Sequence, residues 1–413
     1  MRGREGGNEA EGGTGVRPSR SSSPGQPTAY APAPDSDRHA SWLELFFDLV
    51  FVFAVAELGH YLHGHLTPGG LLGFLVLFVP VWRVWMAFSY HADVFGDDEP
   101  GDQAATVAAM FGVVVLGLTI YGALDGGSAI FAAAYAALRL LLVGVYAATW
   151  HGASPGERGF VGRYMVIYAV VATLWVVSVL VPEPWRFAVW GVAVLVDLAA
   201  GPFVYLTTRS RPTQVSHMSE RFGLFVIIVL GESIIAVGAG VADTEWLWQG
   251  MVAATAGFAA AVGMWWLYFD RADETVISRS VRSGPRGIVL SFVYGYAHYL
   301  VYAGITAASI GILVSIEASE TGSLSLAARL VLCGGFALFL LGILAAHTAS
   351  PGPLHSDLAR ARLVTAGLLV ALALAGSLLP PAAIAVLAAL ILTGLVAFEL
   401  LHPSRTAAKG RHG

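Results

Sequence analysis

Charged residues are scarce in this chain of 413 residues. Asp, Glu, Lys and Arg together make up 12% of the sequence, whereas hydrophobic residues make up 56%. That charged fraction is about half the fraction found in typical soluble domains. A soluble fold of this size needs more charge to cover its surface, so the composition excludes a soluble protein. It predicts instead a protein that crosses a membrane several times.

Cysteine, lysine and an apolar N-terminal segment are also rare or missing. Cys333 is the single cysteine, so we expect no internal disulfide. Lys409 is the single lysine against 22 arginines, a bias that carries no chemistry. The first 40 residues are rich in Gly, Ser, Pro and Arg and contain no apolar run. We therefore expect no signal peptide there and interpret residues 1–40 as a disordered cytoplasmic tail.

Familiar catalytic motifs are missing as well. The sequence contains no P-loop, no Gly-x-Ser-x-Gly, no His-Glu-x-x-His and no glycine pattern typical of dinucleotide binding. The arginines lie in short segments between apolar runs, which indicates membrane orientation and not nucleic-acid recognition. We therefore predict neither an enzyme nor a cofactor-dependent protein, and no nucleic-acid partner.

Twelve segments are long and apolar enough to span a bilayer, which takes roughly 20 residues. The clearest, residues 246–269 and 287–316, contain no Asp, Glu, Lys or Arg. The last apolar stretch, residues 363–398, is too long for one span, and Pro380-Pro381 divides it. The predicted spans are residues 43–63, 70–90, 104–124, 129–149, 160–181, 186–207, 221–240, 246–269, 287–316, 326–348, 361–379 and 382–401.

Positive charges lie mainly on one side of these spans. If the N-terminus is cytoplasmic, 19 of the 23 basic residues are cytoplasmic, and only Arg186 and Arg329 lie on the other side. By the positive-inside rule, both termini are then cytoplasmic. Residues 91–103 join the second and third spans and carry five acidic residues without a base. We interpret them as a solvated loop, with a cation-attracting vestibule as the alternative.

A weak internal repeat relates the two halves of the chain. At an offset of 176 Glu44 falls on Glu220, and at an offset of 180 Trp85 falls on Trp265. Because six spans is an even number, both halves have the same orientation and form parallel repeats. We therefore predict an all-α integral membrane protein with about 12 transmembrane helices in two parallel six-helix repeats. Its predicted parts are the tail of residues 1–40, the repeats 41–215 and 216–402, and a cytoplasmic tail, 403–413.

Ionisable side chains inside a predicted span are costly, so each is a candidate functional residue. The first span carries Glu44 and Asp48 on one helical face, and the seventh opens with Glu220-Arg221 and continues to Glu232. The candidates for an ion path, or for structural ion pairs, are Glu44, Asp48, Arg83, Glu220, Arg221, Glu232, His298, Arg139 and Asp197.

Depth in the membrane predicts two ion pairs among these residues. Arg83 lies at a depth that matches Asp48 and Glu44, and Arg139 matches Asp197 near mid-membrane. One interpretation is that such pairs only hold helices together. The other is that Asp48 and Glu232, with His298, line a proton or cation path. The sequence leaves both interpretations open.

Histidines near the end of the first span suggest a second kind of site. Glu57, His60 and His63 share one helical face at a spacing that binds zinc in other proteins. Imidazoles are also stable at the membrane interface without a metal, and no ligand set elsewhere completes the site. We therefore predict no metal centre, with these three residues as the candidates if one exists.

Two segments resemble a known family. The run Glu44-Leu45-Phe46-Phe47-Asp48-Leu49-Val50-Phe51-Val52-Phe53-Ala54 is similar to the opening signature of the bacterial low temperature requirement protein A family. The second segment runs from His217 through Glu220-Arg221 to Leu230-Gly231-Glu232. The resemblance covers roughly residues 41–402 and implies a multi-spanning protein of the bacterial inner membrane. It implies no specific molecular activity.

Three functions are compatible with these features. The first is a transporter or channel-like permease in which carboxylates of the first and seventh spans line a path for a proton, cation or small solute. The second is a non-transporting membrane protein that supports envelope or cold-stress adaptation through lipid or protein partners. The third, an intramembrane enzyme, lacks any compact nucleophile. Substrate, direction of transport and oligomeric state stay open, and the lipid bilayer is the one certain partner.

Overall fold

A computed structural model describes residues 41–96, 99–208, 217–243, 247–270, 276–319, 322–349 and 356–402. The predicted tails, residues 1–40 and 403–413, lie outside these ranges, as does the predicted boundary between the two repeats at 215–216.

The described residues form thirteen α-helices and no strand. In chain order they are α1 (Trp42–Gly64), α2 (Pro68–Phe95), α3 (Pro100–Thr119), α4 (Ser128–Gly152), α5 (Arg158–Leu180), α6 (Trp185–Thr207), α7 (Met218–Asp243), α8 (Trp248–Phe269), α9 (Val276–Arg282), α10 (Pro285–Glu317), α11 (Leu326–Thr348), α12 (Ser356–Ala375) and α13 (Pro381–Leu401).

The twelve predicted spans correspond to the twelve long helices. Eleven of these are long and apolar enough to cross a membrane, and the remaining one, α1, has 23 residues and carries three carboxylates. The described residues are therefore those of an all-helical, polytopic membrane protein. The sequence missed only α9, because its seven residues are too few for a helical period to stand out.

Polar and proline residues set the helix ends. Ser41 and Glu44 form a capping box, in which each side chain bonds the backbone N–H of the other and satisfies the first turn of α1. Proline starts α2, α3, α10 and α13, where its missing N–H costs nothing. The predicted break at Pro380-Pro381 is confirmed, since α12 ends in a 3₁₀ turn at Gly376–Leu378 and α13 begins at Pro381.

The long helix α10 is the centre of the bundle. Its 33 residues span about 50 Å, more than the hydrocarbon core of a bilayer. It packs against α7, α8, α11 and α13 and also against α1, α2 and α6 of the first half. The two halves of the chain therefore meet where α1, α2 and α6 contact α7 and α10.

Asp93 is not part of a solvated loop, as the sequence suggested. The helix α2 continues to Phe95, and the Asp93 side chain is 8% exposed. Its Oδ1 accepts a hydrogen bond from the backbone N–H of His217 at 3.0 Å. The prediction was wrong because the sequence does not distinguish an acidic residue at a helix end that faces solvent from one that faces the helix bundle. Asp97 and Asp98 of the same segment lie outside the described residues.

Candidate functional site

One arginine at the start of α7 gathers carboxylates from the start of α1. Arg221 Nη2 donates to Asp48 Oδ1 at 2.7 Å, and Nη1 donates to Glu44 Oε1 at 3.3 Å. Trp85 Nε1 donates to the same Asp48 oxygen at 2.8 Å. Nη1 of Arg221 also approaches the backbone oxygen of Ser89, one turn before Asp93 on α2. We call Glu44, Asp48, Asp93 and Arg221 the Arg221 cluster.

Local sequence explains why these groups meet. Glu44 and Asp48 are four residues apart and share one face of α1. Glu44 lies in the first turn of α1, where the positive end of the helix dipole stabilises a carboxylate. The side chains of Asp48 and Arg221 are each only 1% exposed, so their charges interact with little screening by water.

Arg83 is not the partner of these carboxylates, which corrects the sequence-based prediction. It forms a bidentate pair with Asp197 on α6, with N···O distances of 3.1 and 3.0 Å. Arg83 and Trp85 are two residues apart and point about 200° apart around α2. Because Trp85 faces Asp48, Arg83 faces α6.

The predicted pair of Arg139 and Asp197 is confirmed. Arg139 Nη2 donates to Asp197 Oδ2, and Arg139 Nε donates to the hydroxyl of Tyr135 at 2.9 Å. Asp197 therefore lies between two arginines, Arg83 and Arg139, and all three side chains are at most 5% exposed. This group ties together α2, α4 and α6 in the first half of the chain.

A cavity of about 380 Å³ with several ionisable side chains on its wall lies between α1, α7 and α10, towards the opposite ends of α1 and α7 from the Arg221 cluster. We call it the Glu232 cavity. His63 Nε2 and Glu317 Oε2 on its wall lie 2.8 Å apart. No arginine or lysine is among its lining residues, and its ionisable ones are Glu57, His60, His63, Glu232 and Glu317.

The histidines of α1 do not form a metal centre in this structure. Across the described residues, no three His, Cys, Asp or Glu side chains are grouped so that they could hold a metal ion. His63 turns to Glu317, while the next histidine, His65, lies 3.1 Å from Asp125. Glu57, His60 and His63 thus share a cavity wall but do not converge on one point.

Aromatic side chains fill the space between the cluster and the cavity. Trp85 stacks on Phe225 with ring centroids 4.7 Å apart, and Tyr302 meets Phe225 edge-on at 4.8 Å. The Tyr302 hydroxyl donates to the backbone oxygen of Phe222 at 3.0 Å. Phe225 is one turn beyond Arg221 and about two turns before Glu232, so this aromatic block lies between the two polar groups along α7.

Two predicted site residues lie apart from both polar groups. His298 is fully buried, with Tyr268 Oη and Tyr294 O each 2.8 Å from its ring nitrogens, and it stacks on Phe222. It is not among the residues that line the Glu232 cavity. Glu220 is about one-third exposed and lies 3.6 Å from His217, outside the Arg221 cluster.

The comparison with protein families decides what this chain is related to. Residues 39–397 match the model of the family described as bacterial low temperature requirement A protein, LtrA. The chain belongs to this family. It is also 27% identical over 326 residues to the uncharacterized protein RA0937 of Rhizobium meliloti (strain 1021), which covers 73% of this chain and 76% of that protein. The resemblance suggested by the sequence motifs is therefore confirmed.

The two LtrA-like motifs meet in space. The first contributes Glu44 and Asp48, and the second contributes Arg221 to the same cluster. The second motif continues to Glu232 on the wall of the cavity. Residues that carry the family resemblance thus contribute to both polar groups of the α1–α7 interface.

Sequence reasoning missed one buried ion pair of this LtrA protein. Arg362 on α12 donates to both carboxylate oxygens of Glu399 on α13, at 2.7 and 2.9 Å, and lies 2.6 Å from His347 Nδ1. Glu399 could have indicated this pair from the sequence, because it is the single acidic residue of the last predicted span. Arg362 entered the sequence analysis only as one of the 19 basic residues assigned to the cytoplasmic side.

Proposed function

We propose that this LtrA protein is a transporter or channel-like permease that moves a proton or cation along the interface of α1, α7 and α10. One observation carries the proposal. The same two helices, α1 and α7, line an open acidic cavity near one end and hold a buried carboxylate cluster near the other. Intramembrane carboxylates typically mark ion paths, because their burial is costly without such a role.

The distances fit a path that is closed in the middle. Asp48 and Glu57 are nine residues apart on α1, a rise of about 13.5 Å, and Arg221 and Glu232 are separated by about 16.5 Å on α7. Each separation is about half the thickness of the hydrocarbon core. The aromatic block between them acts as the gate, so that rearrangement of Trp85, Phe225 and Tyr302 opens the path.

The architecture of the path rests on two parallel six-helix repeats, which we propose from matching helix neighbours. In the first half, α1 packs on α2 and α3, α3 on α4, α4 on α5, α5 on α6 and α2 on α6. In the second half, α7 packs on α8 and α10, α10 on α11, α11 on α12, α12 on α13 and α8 on α13. This correspondence supports the repeat better than individual residues do, since Trp85 is buried and its match Trp265 is 44% exposed.

The direction of the helices agrees with that repeat. Arg221 joins the starts of α1 and α7, and the ends of both helices line the Glu232 cavity. Helices α1 and α7 therefore run parallel, as equivalent helices of parallel repeats must. We propose that the protein lies in the bacterial inner membrane, and by the positive-inside rule we expect both termini and the Arg221 cluster at the cytoplasmic side.

A flux assay in proteoliposomes tests the function. The parent protein is screened for movement of protons, alkali cations and small metabolites, and the flux found is then measured for Asp48→Asn and Glu232→Gln. We expect each variant to lower it at least about tenfold, because each removes a carboxylate from the path. Asp357→Asn, which removes an exposed carboxylate on α12, is the matched control and should leave the flux unchanged.

Folding is checked for each variant by gel filtration and thermal unfolding in detergent. If both carboxylate variants fold and transport like the parent, the assignment of Asp48 and Glu232 to the path is wrong. If the parent protein transports none of the screened species, the assignment as a permease is wrong. A non-transporting membrane protein then becomes the better description.

A further inference from the structure

Several buried polar atoms around the Arg221 cluster lack partners. Asp48 Oδ2, Asp93 Oδ2, the hydroxyls of Ser89 and Ser219, and the donor Arg221 Nε are buried and make no hydrogen bond in the part of the chain that the structure describes. Ser89 is fully buried, and the side chains of Asp48 and Asp93 are more than nine-tenths buried. Buried polar atoms almost always have a partner, which is a protein group, an ordered water or a bound ion.

These atoms belong to residues that lie around Arg221 and the start of α7. Arg221 contacts Asp48 and the backbone of Ser89. Ser89 and Asp93 are four residues apart on one face of α2. Asp93 accepts from the backbone of His217, and Ser219 follows two residues later in the first turn of α7. The unpartnered oxygens thus come from α1, α2 and α7 where these helices meet.

The charge of the cluster is unbalanced in the same place. Glu44, Asp48 and Asp93 are three carboxylates, and within the described residues Arg221 pairs with two of them, Glu44 and Asp48. Buried charge without compensation is strongly destabilising. Asp93 also lies in the last turn of α2, where the negative end of the helix dipole favours a cation.

We propose that the Arg221 cluster binds one sodium-like monovalent metal cation through Asp48 Oδ2, Asp93 Oδ2 and the Ser89 hydroxyl. Hard cations take oxygen ligands, and all the unpartnered acceptors here are oxygens. This inference rests on the proposed function for the role of the ion, which is to couple to transport. Binding itself is an equilibrium property and is tested separately.

Other occupants fit less well. A proton neutralises one carboxylate but leaves the other oxygen and the serine hydroxyls without partners. Water satisfies the hydroxyls but leaves the excess negative charge. A magnesium or calcium ion needs at least six oxygen ligands or retained waters, and it is repelled more strongly by the Arg221 guanidinium beside Asp48.

Equilibrium binding of radioactive sodium to the full chain purified in detergent tests the site. The assay is run at alkaline pH, where protons compete least, with N-methylglucamine keeping the ionic strength constant. We expect saturable binding that unlabelled sodium displaces and that magnesium and calcium displace poorly. Asp93→Asn should weaken sodium binding at least about tenfold, because it removes a charged ligand. Ser89→Ala should weaken it by a smaller factor, and Asp357→Asn should not change it.

Three results would overturn the site: no saturable sodium binding by the parent protein, preferential binding of a divalent ion, or unchanged affinity in both cluster variants. If Asp93→Asn does not fold, Ser89→Ala decides, since it removes one neutral oxygen and little volume. Sodium binding without any flux refutes the proposed function but not the site. Flux that persists without sodium, together with no sodium binding, refutes the site but not the function.

Discussion

At the scale of residues, the buried charges of this LtrA protein differ in their balance of acids and bases. Arg362 and Glu399 pair one guanidinium with one carboxylate, and His347 also contacts Arg362. Asp197 serves two arginines, whereas the Arg221 cluster has three carboxylates for one arginine. The excess of negative charge is what singles out the Arg221 cluster for an ion, since a pair of one acid and one base carries no net charge.

The Asp197 group predicts an order of stabilities. Asp197→Asn leaves two buried guanidinium groups without a carboxylate, and removing one partner of a buried pair costs about 3–5 kcal/mol. Arg139→Gln leaves the bidentate contact of Arg83 with Asp197 in place and should cost less. Thermal unfolding in detergent should therefore give a lower Tm for Asp197→Asn than for Arg139→Gln. The reverse order would mean that the carboxylate does not hold this group together.

At the scale of elements, the contact of α10 with α11 depends on glycine. A Cβ at Gly335 would lie 2.3 Å from the backbone nitrogen of Ala308, and a Cβ at Gly304 would lie 2.5 Å from that of Phe339. Backbone atoms cannot move aside as flexible side chains do. Small residues let helices approach closely in a membrane, so the central helix is held by this glycine-lined contact.

Neighbouring glycines on α11 test that contact. A Cβ at Gly334 meets nothing within 4 Å, in contrast to Gly335. Gly335→Ala should lower stability by about 1–3 kcal/mol through overpacking, while Gly334→Ala should not. Because the two changes are chemically identical, a helix-propensity effect would move both variants equally. Equal Tm values for the two variants would contradict close packing at Gly335.

At the scale of the whole molecule, the two halves meet along one interface that contains both polar groups. The first half contributes α1, α2 and α6, and the second contributes α7 and α10. A proposed path between two repeats is then also a path between two bodies that can tilt against each other, as in transporters built from repeats. The side of the membrane on which the Glu232 cavity opens depends on the orientation of the chain.

Cysteine labelling tests that orientation. In a Cys333→Ala background, which removes the buried native thiol, single cysteines replace exposed Asp125 between α3 and α4 or exposed Gly156 between α4 and α5. With cytoplasmic termini, a membrane-impermeant maleimide should label Asp125→Cys in intact cells and label Gly156→Cys only after lysis. The opposite pattern would invert the topology and place the Arg221 cluster at the outer side.

Most of the fold could be read from the sequence, but less of the candidate site. The span of residues 43–63 and the helix Trp42–Gly64 agree within one residue at each end, because the apolar length of a span is a local property. Glu44, Asp48, Arg221 and Glu232 were identified because charge is costly in a membrane. The predicted partner of Arg83 was wrong, because depth in the membrane does not determine the direction in which a side chain points around its helix.

The sequence by itself determined that the chain is a helical membrane protein, where its spans lie and that Glu44, Asp48, Arg221 and Glu232 lie within or at the ends of them. Each of these depends on the cost of placing polar groups in hydrocarbon, which is summed along the chain. Only the tertiary structure decided that Arg221 and not Arg83 meets Asp48, that Asp93 turns inward and that Glu232 faces a cavity. Those outcomes depend on how each helix is rotated about its axis and packed against its neighbours. Contacts between residues far apart in the sequence determine both.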